Sequence, residues 1–379
     1  MDLSVFFEPI IFEEEPIPKW EPFIPTYLDA FPHWQEADII LIGLGRPNQL
    51  HPYLGAWKIR HQLSRLSKPA ESMRVVDLGN LKLTEDIESY PDVLTYVQKE
   101  LLLAQKTVIW LGGEMDRLSP IGEGFDGITE ALEYVSIGPR FHLATTPHQA
   151  GHHRELLRHA QVPLFNFTHL GHQAYYVHQA EKEFMDESHF LYYRYGELAS
   201  KPQMAEPALR MAEMVHIDIA SVQASVAGAT ELAPPSGFTA SQICQLARYA
   251  GLGYQLRSLA LTGYEPHMDQ MSHTAKLGAM VTWYVIEGFY GRWDDYPEEN
   301  RRNLRKYTVK LQGPVDEIRF YKHKRSQRWW MEVPYPDTLR KEKKGAKLTQ
   351  LVPCDEQDYE IAKTDDIPPR WWATFHKLS

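Results

Sequence analysis

Five side chains able to ligate a cation or move a proton fall where apolar runs give way to loops. His216 and Asp218 alternate with aliphatic residues in VHIDIA, residues 215–220, which reads as a buried strand. Glu114 and Asp116 follow the glycine pair that breaks the apolar run TVIWL at 107–111, and His142 follows the strand-like run in ALEYVSIGPRFHL. In an open parallel sheet the carboxyl ends of the strands meet at one face, so these groups share a destination. Together they supply donors for a single metal ion or for a metal-free acid–base pair, with Arg140 placed to grip a substrate carboxylate through two parallel hydrogen bonds. The candidates for chemistry are His142, Asp218 and Arg140, in a pocket shared with Glu114, Asp116, His216 and Glu265.

A second set of donors lies in the histidine-rich stretch His148, His152, His153, His159, His169, His172 and His178. The spacing H-x-x-x-H-H puts His148 and His152 on one helical face, where solvated or interface histidines are the simpler reading than a relocated metal site.

The elements that must position these groups alternate strand and helix. Residues 215–220 lead through a Gly, Ala and Pro loop into a helix opened by Thr239 or Ser241, with Ile243, Leu246, Ala247 and Ala250 on one face. Earlier come a strand over 37–45, a helix carrying Trp57, Ile59, Leu63 and Leu66, a strand over 73–81 and a helix over 91–104. Residues 181–214 read as a polar helical region, and the helix over 272–291 carries Ala275, Ala279, Trp283 and Ile286 at core spacing. The turn GLGRPN at 43–48 lacks the G-x-G-x-x-G spacing of a dinucleotide fingerprint. The expected fold is α/β, a three-layer α-β-α sandwich with a mostly parallel central sheet.

With 379 residues and 43% hydrophobic content the chain can bury one large core. Residues 1–36 read as a Pro- and aromatic-rich arm, 37–292 as the α/β domain, and 293–379 as an extension packed on it. A formal net charge of -10 argues against nucleic acid as the main partner. Two cysteines far apart, Cys244 and Cys354, give no disulfide framework, and no run approaches a membrane span, so a reducing cytoplasm is the expected home. In the last segment IRFYKHKRSQRWWMEV and LRKEKKGAK are locally basic with Trp329 and Trp330 interleaved, a polyanion-binding surface or a solvated loop whose tryptophans pack on the body. The tail DIPPRWWATFHKL suggests Trp371 and Trp372 as anchors.

The order of these pieces resembles the ureohydrolases, the arginase, agmatinase and formiminoglutamase superfamily, with the formiminoglutamase-like branch favoured. Gly55, Ile59 and Arg60 are similar to a G-P-x-x-I-R helix, and Asp77, Leu78 and Gly79 to a D-L-G-D strand. Gly112 and Gly113 are similar to an L-G-G turn, Gly171 and Gln173 to a G-x-Q turn. ARYAG is similar to a family helix end, and Pro266 and Asp269 to E-x-N-P-x-x-D. The resemblance implies the arginase-like fold, a dinuclear manganese site and hydrolysis of linear amidine C–N bonds, and commonly a homo-oligomer.

The ligands implied by that resemblance are altered. The histidine after the glycine pair falls on Met115; the three ligands of D-A-H-x-D fall on Gly138, Arg140 and His142; of the strand's aspartates only Asp218 remains, the second being Ala220. The glutamate of the closing motif falls on Gly263 and its asparagine on Glu265. Two bridged dications need carboxylates that hold them about 3.5–4 Å apart, a thioether is a poor partner for hard Mn²⁺, and a guanidinium opposes cations by several kcal/mol at an effective dielectric of about 20. The expectation is therefore a relative that has lost the manganese site, needs no cofactor and serves a binding or assembly role, with a protein partner met through the arm or the extension. The alternative is an active formiminoglutamase- or agmatinase-like hydrolase of linear amidines with a rebuilt site, manganese being expected only if the family site is retained.

Overall fold

Unbroken apolar runs and helices with a period of three to four alternate along most of the chain, and in the computed structural model they form a layered α/β body. The structure describes residues 2–11, 24–47, 49–83, 89–143, 151–158, 164–293, 295–297, 301–313, 315–335 and 349–378. The elements in order are β1 (Phe7–Glu8), β2 (Ile39–Leu44), α1 (Leu54–Leu63), β3 (Val75–Leu81), α2 (Tyr90–Leu103), β4 (Thr107–Gly112), α3 (Leu118–Glu123), β5 (Leu132–Ile137) and α4 (His152–Arg158). There follow β6 (Leu164–His172), α5 (Gln179–Glu187), β7 (Leu191–Arg194), α6 (Tyr195–Ser200), α7 (Glu206–Met211), β8 (Met214–Asp218), α8 (Ala240–Gly251), β9 (Ser258–Thr262) and α9 (His273–Tyr290).

These strands make one nine-stranded sheet in the order β1-β3-β2-β4-β9-β8-β5-β6-β7. From β3 to β7 every neighbour is parallel; only β1 runs antiparallel, on the β3 edge. A parallel sheet is covered on both faces, so its strands read as unbroken apolar runs. In β2, Ile39 and Leu41 face a core built with Ile59, Leu246 and Ala275, while Ile40 and Ile42 face the opposite core with Leu94, Val97 and Trp110. The helix α8 starts at a reciprocal cap: Thr239 Oγ1 accepts the Gln242 N–H at 3.3 Å and Gln242 Oε1 accepts the Thr239 N–H at 2.9 Å. Arg60 locks α1 to β3, donating to both oxygens of Asp77 at 2.8 Å, to Asn80 Oδ1 at 2.7 Å and to the Gly79 carbonyl at 2.6 Å. No helix among the described residues is long and apolar enough to cross a membrane.

Three expectations need correction. Residues 181–214 are not wholly helical: Leu191–Arg194 is the edge strand β7, hydrogen-bonded in parallel to β6. The helix α1 stops at Leu63, so Leu66 lies beyond it and is 37% exposed. The basic stretch after residue 303 is not a loop. It forms a four-stranded antiparallel sheet of β10 (Leu304–Lys310), β11 (Glu317–His323), β12 (Trp329–Pro334) and β13 (Thr349–Cys354), covered by α10 (Glu356–Lys363) and α11 (Pro369–Leu378). LRKEKKGAK lies outside the described residues.

Ile318, Phe320, Met331 and Val333 form the inner face of this second sheet, packed on Tyr359, Trp371 and Phe375. Buried ions tie it to the large body. Arg210 of α7 pairs with Glu206, donates to the Trp329 carbonyl at 2.8 Å and lies 4.6 Å from the Trp330 ring centroid. Arg328 pairs with Glu206 at 3.0 Å and with Asp295 at 3.3 Å.

Candidate functional site

Strand register decides which loops meet. Ile137 sits opposite Ile217, Asp218 opposite Thr262, Leu111 opposite Leu261 and Leu44 opposite Gly112, so the five loops that follow these strand ends open on one mouth. The cavity there measures about 1000 Å³. It is lined by Arg46 after β2, by Glu114, Met115 and Asp116 after β4, by Arg140 and His142 after β5, by Asp218 and Ala220 at the end of β8, and by Gly263 and Glu265 after β9. His152, Tyr175, Tyr176, His178 and Glu231 close the outer wall.

His216 is not among them. Its side chain is fully buried inside the sheet, Nδ1 being 3.1 Å from Ser136 Oγ and Nε2 2.8 Å from Thr262 Oγ1. Side chains alternate along a strand, so His216 and Asp218 do point the same way. The mouth, however, begins only at the strand end, and His216 lies a step below it.

Asp218 is 4% exposed. Burial pushes its carboxyl up to about 6, against the pull of the Ala220 N–H, which donates to Oδ1 at 2.9 Å, and of the Arg140 charge. Glycine is required beside it: Gly263 has φ +78°, and a Cβ there would fall 2.2 Å from Asp218 Oδ1. Arg140 is exposed, its guanidinium 5.2 Å from the Tyr176 ring centroid and without an ion-pair partner among the described residues. Glu265 is held elsewhere, 2.6 Å from Nη1 of Arg46. Asp116 lies 3.3 Å from Arg117 Nε. Glu114 and Glu231 are exposed.

Behind the mouth the histidines stack into the core. His153 lies 5.8 Å from His142, 5.6 Å from His216 and 6.1 Å from His169, measured between ring centroids, and Ser136 Oγ lies between His153 Nε2 at 3.3 Å and His216 Nδ1. Burial holds the His153 imidazole down to about 4, and His142, His169 and His216 well below their ordinary value, so these rings are neutral. His148 and His159 lie outside the described residues.

The donor set does not fit a pair of manganese ions. Of the positions where the resemblance implies ligands, Gly138 and Ala220 bring no donor, Met115 a thioether and Arg140 a permanent cation, leaving Asp218 and the neutral ring of His142. Among the described residues no group of three or more His, Cys, Asp or Glu side chains is arranged to hold a metal ion. The missing side chain at Gly138 is not a steric necessity. A Cβ there would lie 3.6 Å from His169 Cε1 and 3.7 Å from Asp218 Cβ, ordinary contacts.

Sequence reasoning missed Arg46 and Tyr176, which hold Glu265 and Arg140. Arg46 follows the glycine that ends the first strand, as Glu114 follows a glycine after β4, and that shared position was the available signal. Tyr176 gave none, because its contact with Arg140 is fixed by two different loops.

The sequence profile of the arginase family matches residues 50–287. No curated protein matches the sequence. Among solved structures the chain is similar to Trypanosoma cruzi formiminoglutamase with Mn²⁺, with a TM-score of 0.62, 14% identity, and coverage of 69% of this chain and 96% of that one. It is similar to Bacillus subtilis formimidoylglutamase, with a TM-score of 0.62, 15% identity, and coverage of 75% and 95%. A hypothetical agmatinase from Burkholderia thailandensis gives a TM-score of 0.57 at 15% identity, covering 68% of this chain and 87% of that one.

Proposed function

The chain belongs to the arginase family, and from that premise we propose that it is a ureohydrolase-fold protein that has lost the dinuclear manganese site and acts by binding rather than by hydrolysis. The observation that carries this reading is the loop after β5, where Gly138, Arg140 and His142 stand in place of three ligands and put a guanidinium in the cleft. Hydrolysis by two metals requires carboxylates to bridge the ions and a bound water made acidic by them. One aspartate whose own proton affinity is raised by burial supports neither requirement. The test is hydrolysis of L-arginine, agmatine and N-formimino-L-glutamate with added Mn²⁺. No turnover is expected, whereas Mn²⁺-dependent turnover that disappears in Asp218→Ala would overturn the reading.

A second reading rests on Asp218 itself. A carboxyl that titrates near 6 at the wall of a cleft is suited to general acid–base work. It predicts metal-independent hydrolysis of a linear amidine, with a rate that follows a group titrating near that value and is lost in Asp218→Asn. Assembly into a homo-oligomer, and a protein partner at the N-terminal arm or at the sheet β10–β13, belong to the proposal in either case.

A further inference from the structure

The charges in the cleft divide into those already satisfied and those left over. Glu265 is paired with Arg46, and Asp116 is in ion-pair range of Arg117, at 3.3 Å, without a hydrogen bond between them. Glu181 accepts the Leu143 N–H at 3.0 Å through Oε1 and the His178 N–H at 3.1 Å through Oε2, so both its oxygens are occupied. Three groups lining the same cavity have no hydrogen-bond or ion-pair partner for their charged ends among the described residues: Arg140, Glu114 and Glu231. Asp218 adds one carboxyl oxygen, since only Oδ1 is taken by the Ala220 N–H.

Among the described residues no carboxylate pairs with the Arg140 guanidinium, which stands at the wall of a cavity of about 1000 Å³ lined also by Glu114, Glu231 and Asp218. Arg140 is also held in place. Its guanidinium rests against the Tyr176 ring, and Tyr176 packs edge-on against Tyr175 at 4.7 Å between centroids. The backbone behind it is pinned by the Gly138 N–H donating to the Leu170 carbonyl at 3.0 Å, and by the Gln173 N–H donating to the Pro139 carbonyl at 3.0 Å. A guanidinium presented in this way matches the two oxygens of a carboxylate.

We propose that the cleft binds a small amine-bearing carboxylate, its carboxylate clamped by Arg140 and its ammonium end turned toward Glu114 and Glu231. This rests on the binding role argued above. It adds the polarity of the site: the ligand's negative end lies at the loop after β5, a place that a metal-centred site reserves for cations. Tyr175 and Tyr176 supply the apolar wall for the carbon chain between the two charges.

The test uses the full chain and three probes, 4-aminobutyrate, propionate and n-butylamine, with binding read by calorimetry and by ligand-observed NMR. 4-Aminobutyrate is expected to bind more tightly than either one-ended probe. Arg140→Gln is expected to weaken 4-aminobutyrate by about tenfold or more and to leave n-butylamine unchanged. Arg140→Lys is expected to recover part of the loss, and the pair Glu114→Gln with Glu231→Gln to weaken the two amines but not propionate. Equal binding of 4-aminobutyrate to the wild type and Arg140→Gln, or no binding of any probe up to about 10 mM, overturns the proposal. Arg140 is exposed, so its substitution leaves the fold intact, with near-ultraviolet circular dichroism as the check. A parallel Mn²⁺ titration keeps the two readings apart: manganese uptake that depends on Asp218 defeats the binding-protein reading, while no manganese and no probe binding defeats this inference alone.

Discussion

Replacing Asp218 by Asn should stabilise the protein at neutral and alkaline pH, which is the reverse of what a metal ligand would do. The carboxyl titrates at about 6 in the folded chain and near 3.9 in an unfolded one. A folded value above the unfolded one means that the native state binds the proton more tightly. Whatever the group contributes is then fully present below the unfolded value and is lost as pH rises through the folded one. Above about pH 7 the ionised carboxylate therefore costs roughly 3 kcal/mol, at about 1.4 kcal/mol per unit. Asparagine keeps an oxygen to accept the Ala220 N–H now made to Oδ1 and carries no charge to desolvate. The gain should approach this figure at pH 8, shrink through pH 6 and vanish near pH 4, measured by urea unfolding at each pH with unchanged slope. A variant less stable than the wild type at pH 8, above all one whose deficit appears only with Mn²⁺ present, would refute the reasoning, because then the carboxylate is neutralised by a cation.

Other outcomes follow from the same geometry. Gly263→Ala puts a Cβ 2.2 Å from Asp218 Oδ1 at a backbone angle of φ +78°; it should lose about 1–3 kcal/mol or more, partly restored by adding Asp218→Ala, as a double-mutant cycle by denaturant titration would show. The neutral His153, held down to about 4 against about 6.5 unfolded, stabilises the fold above pH 6.5. That contribution should fall away by roughly 3 kcal/mol as pH drops toward 4, visible as a steepening acid limb in thermal melts that His153→Gln flattens. Arg60→Met should cost about 3–5 kcal/mol, because it strands the buried carboxylate of Asp77. Ending the chain at residue 292 should leave Arg210 and Glu206 without the Trp329 carbonyl, the Trp330 ring and Arg328; a soluble product melting at the wild-type temperature would contradict this.

Much of the fold was legible because its strands are buried on both faces, so β2, β4, β8 and β9 stand out as apolar runs ended by glycine or by a charged residue. The edge strand β7 was not legible. Leu191, Tyr192 and Tyr193 are only partly buried, and four residues between two helices give no period of their own. The extension was read as basic loop because its charges dominate the composition, although Ile318 and Phe320, two residues apart on one strand, already show which face turns inward. Within the cleft, most of the lining residues could be placed from the strand ends, since each loop begins where an apolar run stops. The pairing of Glu265 with Arg46, the descent of His216 below the mouth and the seat of Arg140 on Tyr176 could not. Each depends on two chain segments whose meeting only the sheet register decides.

The most direct measurement is the metal content of the full chain purified without chelator from cells supplied with manganese, then titrated with Mn²⁺ by calorimetry. The account predicts well under one bound ion per chain and no heat attributable to the cleft, because a single carboxylate facing a guanidinium cannot hold two bridged dications. Two ions per chain, released together when Asp218 is replaced by Ala, would contradict it.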